Sequence, residues 1–208
     1  GCIKNIGMGC GSRAGKMEQH NSGKPMVNRE VCVGCRVCSK NCAHGAISFP
    51  DKKASIDHEK CVGCGRCLGA CNFDAIYNEN ESAVKELNMK MAEYTKAVVD
   101  GRPAFHINLV IDVSPYCDCH AENDVPILPD VGMFASFDPV ALDQACADAC
   151  NAQQPMPGSL LDEHMHAEDF HDHHDHFVNT TPESEWKTCL AHAEKIGLGS
   201  REYELIKV

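Results

Sequence analysis

Apolar residues recur along this chain in more than one rhythm, and each rhythm predicts an element. From Glu79 to Asp100 the positions Val84, Leu87, Met91, Tyr94 and Val98 fall at helical spacing. Ser82 is placed to cap that helix, Gly101 fits its C′ position, and Pro103 bars continuation. Its methionines read as core. From Phe105 to Val113 the rhythm changes to strict alternation through Phe105, Ile107, Leu109, Ile111 and Val113, with Val110 on the other face. That pattern predicts a buried strand. A second strand is expected over Val131 to Ser136. Asp138 then caps a helix from Val140 to Asn151, with Pro139 at N1 and Leu142, Cys146 and Cys150 on one face. Cysteine at such positions is most simply a small hydrophobe. Two prolines between Gln153 and Gly158 break the helix. Trp186, Cys189, Leu190, Ala193 and Ile196 mark an amphipathic helix ended by Gly197, and Tyr203 to Val208 suits a closing strand. At the start, Cys2 to Ile6 reads as a strand end entering a glycine-rich loop, Gly7 to Lys16. Ala46 to Phe49 and Ala54 to Asp57 read as short strands joined by the polar turn Pro50-Asp51-Lys52-Lys53.

Between Met26 and Asn78 neither rhythm holds, because cysteine sets the pattern. Cys32, Cys35, Cys38 and Cys42 have the spacing C-x2-C-x2-C-x3-C, and Cys61, Cys64, Cys67 and Cys71 repeat it at an offset of 29 residues. The register runs on, Ala46-Ile47 falling on Ala75-Ile76. Three thiolates three residues apart can wrap three corners of an iron–sulfur cube. In the two-cluster arrangement the fourth cysteine of each run serves the other cluster. The expected ligand sets are therefore Cys32, Cys35, Cys38 and Cys71 for one [4Fe-4S] cluster, and Cys61, Cys64, Cys67 and Cys42 for the other. Gly34, Gly63 and Gly65 let backbone amides approach sulfide without a Cβ. The competing readings are zinc knuckles or a disulfide framework. Zinc usually takes C-x2-C pairs across a longer spacer, which a doubled run of four fits badly. So small a unit buries little apolar area, so metal ligation has to supply much of its folding energy.

Composition sharpens this. The chain has 208 residues, 15 cysteines and a formal net charge of -11. An odd cysteine total with a cluster motif favours a reducing, cytoplasmic setting with little oxygen over a secreted scaffold. No apolar run is long enough to span a bilayer, and no signal peptide is visible. Two oxidised clusters at about -2 each would carry the charge to about -15. Nucleic acid and membrane are therefore excluded as expected partners. The acidity either steers a basic redox partner or only aids solubility.

Other residues carry weaker signals. Gly9-x-Gly11-x-x-Ala14 has the outline of a dinucleotide fingerprint, but no βαβ unit follows. A P-loop fails because Cys10 stands where its first glycine belongs and Met17 replaces Ser or Thr. The segment either binds an anion through its amides with Arg13 or Lys16, or simply turns. Cys117-x-Cys119 follows the predicted strand, where α/β sheets place ligands. Cys10, Cys117 and Cys119, with His20, His120 or Cys146 as a fourth ligand, form a candidate third metal or cluster site; free thiols are the alternative. From Asp162 to His176, His164, His166, His171, His173, His174 and His176 interleave with acids. They suit zinc, nickel or ferrous iron, or form a solvated loop that binds metal only adventitiously.

Lys4-Asn5-Ile6-Gly7-Met8-Gly9-Cys10-Gly11-Ser12-Arg13-Ala14-Gly15-Lys16, the double cysteine motif, Ser114-Pro115-Tyr116-Cys117-Asp118-Cys119, and Asp138-Pro139-Val140-Ala141-Leu142-Asp143 together resemble the uncharacterised Fe–S centre proteins. In that family a bacterial-type two-cluster ferredoxin module is inserted into an α/β domain of unknown function 362. Ala43 and Asn72 depart from the proline that usually follows the fourth cysteine. The resemblance implies two [4Fe-4S] clusters and supplies no reaction. It implies residues 1–25 and 79–208 as parts of the α/β domain, the latter with the His/Asp-rich loop at 162–176, around a module at 26–78. It also implies a further segment upstream of Gly1, so that the sequence is expected to be a fragment, a cleaved chain or a separate subunit, with a sheet that a partner chain completes. Three functions follow: an electron carrier, a redox-enzyme subunit with its site near Cys10, Cys117 and Cys119, or a module in which the clusters only staple the fold.

Overall fold

The fold was analysed in a computed structural model, which describes residues 1–208 except 21–22, 78–83 and 118–124. Ser82, His120 and Cys119 thus lie outside the described residues.

The cysteine repeat is also a repeat of structure. Strand β1 (Met26–Val27), helix α3 (Val37–Lys40) and strand β2 (Ile47–Ser48) are followed at the same 29-residue offset by β3 (Ser55–Ile56), α4 (Arg66–Ala70) and β4 (Ile76–Tyr77). The strands pair across the repeats, β1 with β4 and β2 with β3, both antiparallel. Backbone specials repeat too. Gly34 and Gly63 have φ of 71° and 77°, and Arg36 and Gly65 have 64° and 65°. The core of this unit is Cys32, Cys38, Cys67 and Cys71 with Ala54, Ala75 and Ile76.

The start of the chain departs from expectation. Cys2–Lys4 forms a short helix, α1, that runs into a π-helical turn over Asn5–Gly9, where a strand and a loop were expected. Arg13–Gln19 is a further helix, α2, capped by Ser12, whose side chain accepts from Gly15 N at 3.1 Å. The reason lies in tertiary partners. The Asp143 carboxylate accepts from Cys2 N at 2.6 Å and Ile3 N at 2.8 Å, satisfying the orphan amides of α1. Gly7 is required beside the next helix, since a Cβ there would sit 2.2 Å from Met91 O.

That helix, α5 (Val84–Val99), packs between the π-helical turn and α9 (Trp186–Lys195). Its buried stripe is Asn88, Met91, Ala92 and Thr95, whereas Val84 and Val98 are exposed. Thr95 Oγ1 donates within reach of Ile3 O and Met91 O, which turns a β-branched polar residue inward. Cys189, Leu190 and Ala193 of α9 are buried as the sequence predicts.

Strands β5 (His106–Val110) and β6 (Gly132–Ser136) pair antiparallel, and among the described residues they form a sheet of their own. The alternation in β5 is as expected, but its faces are reversed. Phe105, Ile107, Leu109 and Ile111 are exposed, while His106 and Val110 are buried against helix α6 (Pro139–Asn151). Asp138 caps α6 by accepting from Val140 N and Ala141 N. Cys146 and Cys150 of α6 enter a core with Cys2, Val110, Ile127, Leu128, Leu142 and Leu161.

The histidine tract is not one solvated loop. It begins within helix α7 (Leu160–Met165) and ends in α8 (His176–Thr180). Asp175, almost fully buried, accepts from Trp186 Nε1 and pairs with Lys187 Nζ at 2.7 Å. Tyr203 to Val208, expected as a closing strand, is irregular and exposed; Tyr203 Oη donates to Asp148 at 2.9 Å. No helix among the described residues is long and apolar enough to cross a membrane.

The triple role of Asp143 sets an expectation. Asp143→Ala strands two amides and the Asn108 amide, which donates to Asp143 at 2.7 Å. It should lower unfolding free energy by roughly 2–3 kcal/mol in urea titrations. Asp148→Ala, on the exposed side of the same helix, should cost about 0.5 kcal/mol or less.

Candidate iron–sulfur sites

Each cysteine run wraps a loop whose shape is fixed by close backbone approach. A Cβ on Gly34 would lie 2.1 Å from Lys52 O, so the first loop seats directly on the 50–53 turn. In the second loop a Cβ on Gly63 would lie 3.0 Å from Gly23 O. That loop is also tied down by Lys24 Nζ, which donates to His58 O, and by a 3.0 Å contact from His58 Nε2 to Pro25 O.

Two small, partly open cavities result. The first is lined by Cys61, Cys64, Cys67 and Cys42, with Pro25, Ile47 and Ile56 among its walls. The second is lined by Cys32, Cys35, Cys38 and Cys71, with Phe49, Ala54 and Phe73. The fourth thiol of each run thus meets the first three of the other. The crossed strand pairing explains this, because it brings the end of each repeat beside the start of the other.

The thiols surround each cavity; they do not converge on one point. Among the described residues, no group of three or more His, Cys, Asp or Glu is gathered as a single metal ion requires. Every described cysteine is a free thiol. Burial, followed by the neighbouring Cys61 and Cys64, pushes the Cys67 thiol up to about 12, and burial likewise raises Cys38. Ligation would therefore have to displace these protons. Two amides aim at sulfur: Ala54 N donates to Cys32 Sγ at 3.3 Å, and Ala46 N to Cys42 Sγ at 3.4 Å. Four thiols around an apolar-walled cavity, with amide donors to sulfur, fit a polyatomic iron–sulfur core.

The two sites are not identical. The repeat places Pro25 where the other half has Ala54. Proline has no N–H, so Cys61 is denied the amide that Cys32 receives. Sequence comparison of the two halves carries this signal, but only the Ala54–Cys32 contact gives it meaning.

The sequence matches a family described as a domain of unknown function, DUF362, over residues 1–148. The chain belongs to this family. No curated protein and no solved structure matches it. Its many cysteines are consistent with iron–sulfur binding, and the family description assigns no activity.

The other candidates among the described residues lie on different elements. Cys10 is exposed at the end of the π-helical turn, and His20 is exposed after α2. Cys146 is buried in α6, where Asn108 Nδ2 approaches its sulfur at 3.5 Å. Lys4 Nζ donates to Cys117 Sγ at 2.8 Å, an approach the sequence did not suggest. In the histidine tract, His164 and His166 turn their Nδ1 atoms to the carbonyls of Asn179 and Asp162, and His176 Nε2 faces Gln153 O. Each of these rings has one nitrogen against a backbone carbonyl, while Nδ1 of His176 is buried with no hydrogen-bond partner among the described residues.

Proposed function

We propose that this protein binds two [4Fe-4S] clusters and passes electrons between redox partners in a reducing cytoplasm. Cys32, Cys35, Cys38 and Cys71 hold one cluster; Cys61, Cys64, Cys67 and Cys42 hold the other. The observation that carries this reading is the crossed lining of the two cavities. The clusters supply one-electron chemistry, while the chain's residues shield, orient and tune them through burial and amide contacts to sulfur. A doubled site argues for transfer over stapling, since one cluster would suffice as a staple.

A redox-enzyme subunit is the second reading, with a further metal or substrate site near Cys10, Cys117 and Cys119. The Lys4–Cys117 approach favours it, because an ammonium beside a thiol stabilises the thiolate that binds metal. In either case we propose that another chain completes the α/β part. The apolar face of β5 and β6 supports this. Phe105, Ile107, Leu109, Ile111, Met133 and Phe137 are all exposed. The consecutive residues 107–113 line an open cleft, as a strand does when its edge borders the space. Unpaired edges and apolar faces of this kind recruit a further strand.

Anaerobically purified protein should contain eight irons per chain, an equal amount of acid-labile sulfide, and EPR signals after dithionite reduction. Colourless, iron-free and still folded material would end the proposal. Eight irons with no other metal would end the third-site reading alone. Pro25→Ala restores an amide beside Cys61 and should raise one of the two midpoint potentials while leaving the other unmoved; an unchanged pair of potentials would show that Pro25 does not tune the site. Protein from its native cells should sediment above its own 22.7 kDa, and Leu109→Asp should return it to that mass. Wild type sedimenting as a single chain would sink the completing partner.

A further inference from the structure

The two cluster sites face different surroundings. Helix α4 of the second run packs on α2, so closely that a Cβ on Gly69 would lie 3.2 Å from Ala14 Cα. The ring of Tyr94 in α5 lies against Gly15 and in the field of Arg66 and Cys64. The second-run site therefore abuts the rest of the protein. Helix α3 of the first run packs on α4 and β2, within the module. In that run Cys35 is exposed, as are Val31, Val33 and Val37 at 44%, 57% and 37%, and Phe73, which lines the same cavity as Cys35 and Val33, is 48% exposed.

Charge divides along the same line. Residues 28–53 carry five Lys or Arg (Arg29, Arg36, Lys40, Lys52 and Lys53) against two acids, Glu30 and Asp51, in a chain of net charge -11. Arg29 is spent on Asp51, at 3.7 Å. Arg36 stacks over Phe49 at the cavity wall, and Lys40 and Lys52 are exposed. Beyond a Debye length of about 10 Å at 0.1 M salt, the acidic remainder is largely screened, so a docked partner senses the local cations.

Resting on the two-cluster reading, we propose that the first-run end is the electron port and that its partner is an acidic redox protein. The apolar centre of Val31, Val33 and Phe73 buries on docking, and the cationic rim of Lys40 and Lys52 orients an acidic ring around the partner's own cofactor. Cys32, Cys35, Cys38 and Cys71 would hold the cluster nearest that partner, which would supply one-electron chemistry there. Cys61, Cys64, Cys67 and Cys42 would hold the second cluster on the side where α4 packs against α2.

Small redox probes of opposite charge test this on the intact, cluster-loaded protein. The dithionite-reduced protein gives up one electron per event, taking hexacyanoferrate(III) to hexacyanoferrate(II) or hexaamminecobalt(III) to cobalt(II). At about 0.1 M ionic strength, Lys40→Glu with Lys52→Glu should slow hexacyanoferrate several-fold and speed the cobalt complex. Lys195→Glu with Lys207→Glu, the same change in net charge away from the module, should leave both rates unaltered. Lys40→Gln should shift them the same way by less, which guards against misfolding of the double variant. Equal effects from both double variants, or none from either, would overturn the port. Iron content and visible absorption, read first on each variant, separate this outcome from failure of the two-cluster reading, which would leave no clusters to oxidise.

Discussion

A core built from thiols is the constraint on which the cysteine-rich unit depends. Its four strands are two residues each, and its buried centre is Cys32, Cys38, Cys67 and Cys71 with Ala54, Ala75 and Ile76. Such small side chains remove little apolar area from water, and each strand pair adds few ladder hydrogen bonds. Under the proposed two-cluster reading, ligation at the sulfurs makes up the difference. The geometry of the loops serves this end. Left-handed residues at Gly34, Arg36, Gly63 and Gly65 hold the thiols around the cavities, and Gly34 has no room for a side chain above Lys52 O.

The other part of the chain obeys ordinary packing rules, with one exception. Asp143 joins α6, α1 and β5 through three short hydrogen bonds. Thr95 and Gly7 lock α5 against the π-helical turn. Capped helices and two apolar clusters then follow. The exception is the outer face of β5 and β6, where large apolar residues stand in water. Contiguous exposed apolar surface of this kind marks an interaction site in soluble proteins.

The sequence made the local chemistry of the site legible and left its surroundings hidden. Cysteine spacing is a short-range code, so both runs could be read directly, whereas their crossed grouping was an expectation from the two-cluster arrangement. Caps such as Asp138 and stop signals such as Gly197 were equally plain, because they act within one turn. The strand rhythm of Phe105 to Ile111 was legible, but alternation does not say which face meets the core. Asn108 and His106 were drawn inward by Asp143 and the helix above them, which lie more than thirty residues away in the chain. Cys2 to Ile6 misled for the same reason. β-branched and apolar residues suggested a strand, yet the acceptor at Asp143 supplied what a helix start needs. The exchange of Ala54 for Pro25 between the halves was visible in the sequence but had no meaning until an amide was seen facing sulfur.

The crossing of β1 with β4 and β2 with β3 has a consequence for how such a unit could arise. Neither 29-residue half contains a partner for its own strands, nor a full set of thiols for either cavity. A solitary half would be obliged to associate with a twin, each lending its last cysteine to the other. Fusing the twins into one chain removes the concentration dependence of that association and frees each half to diverge, as Pro25 and Ala54 have done.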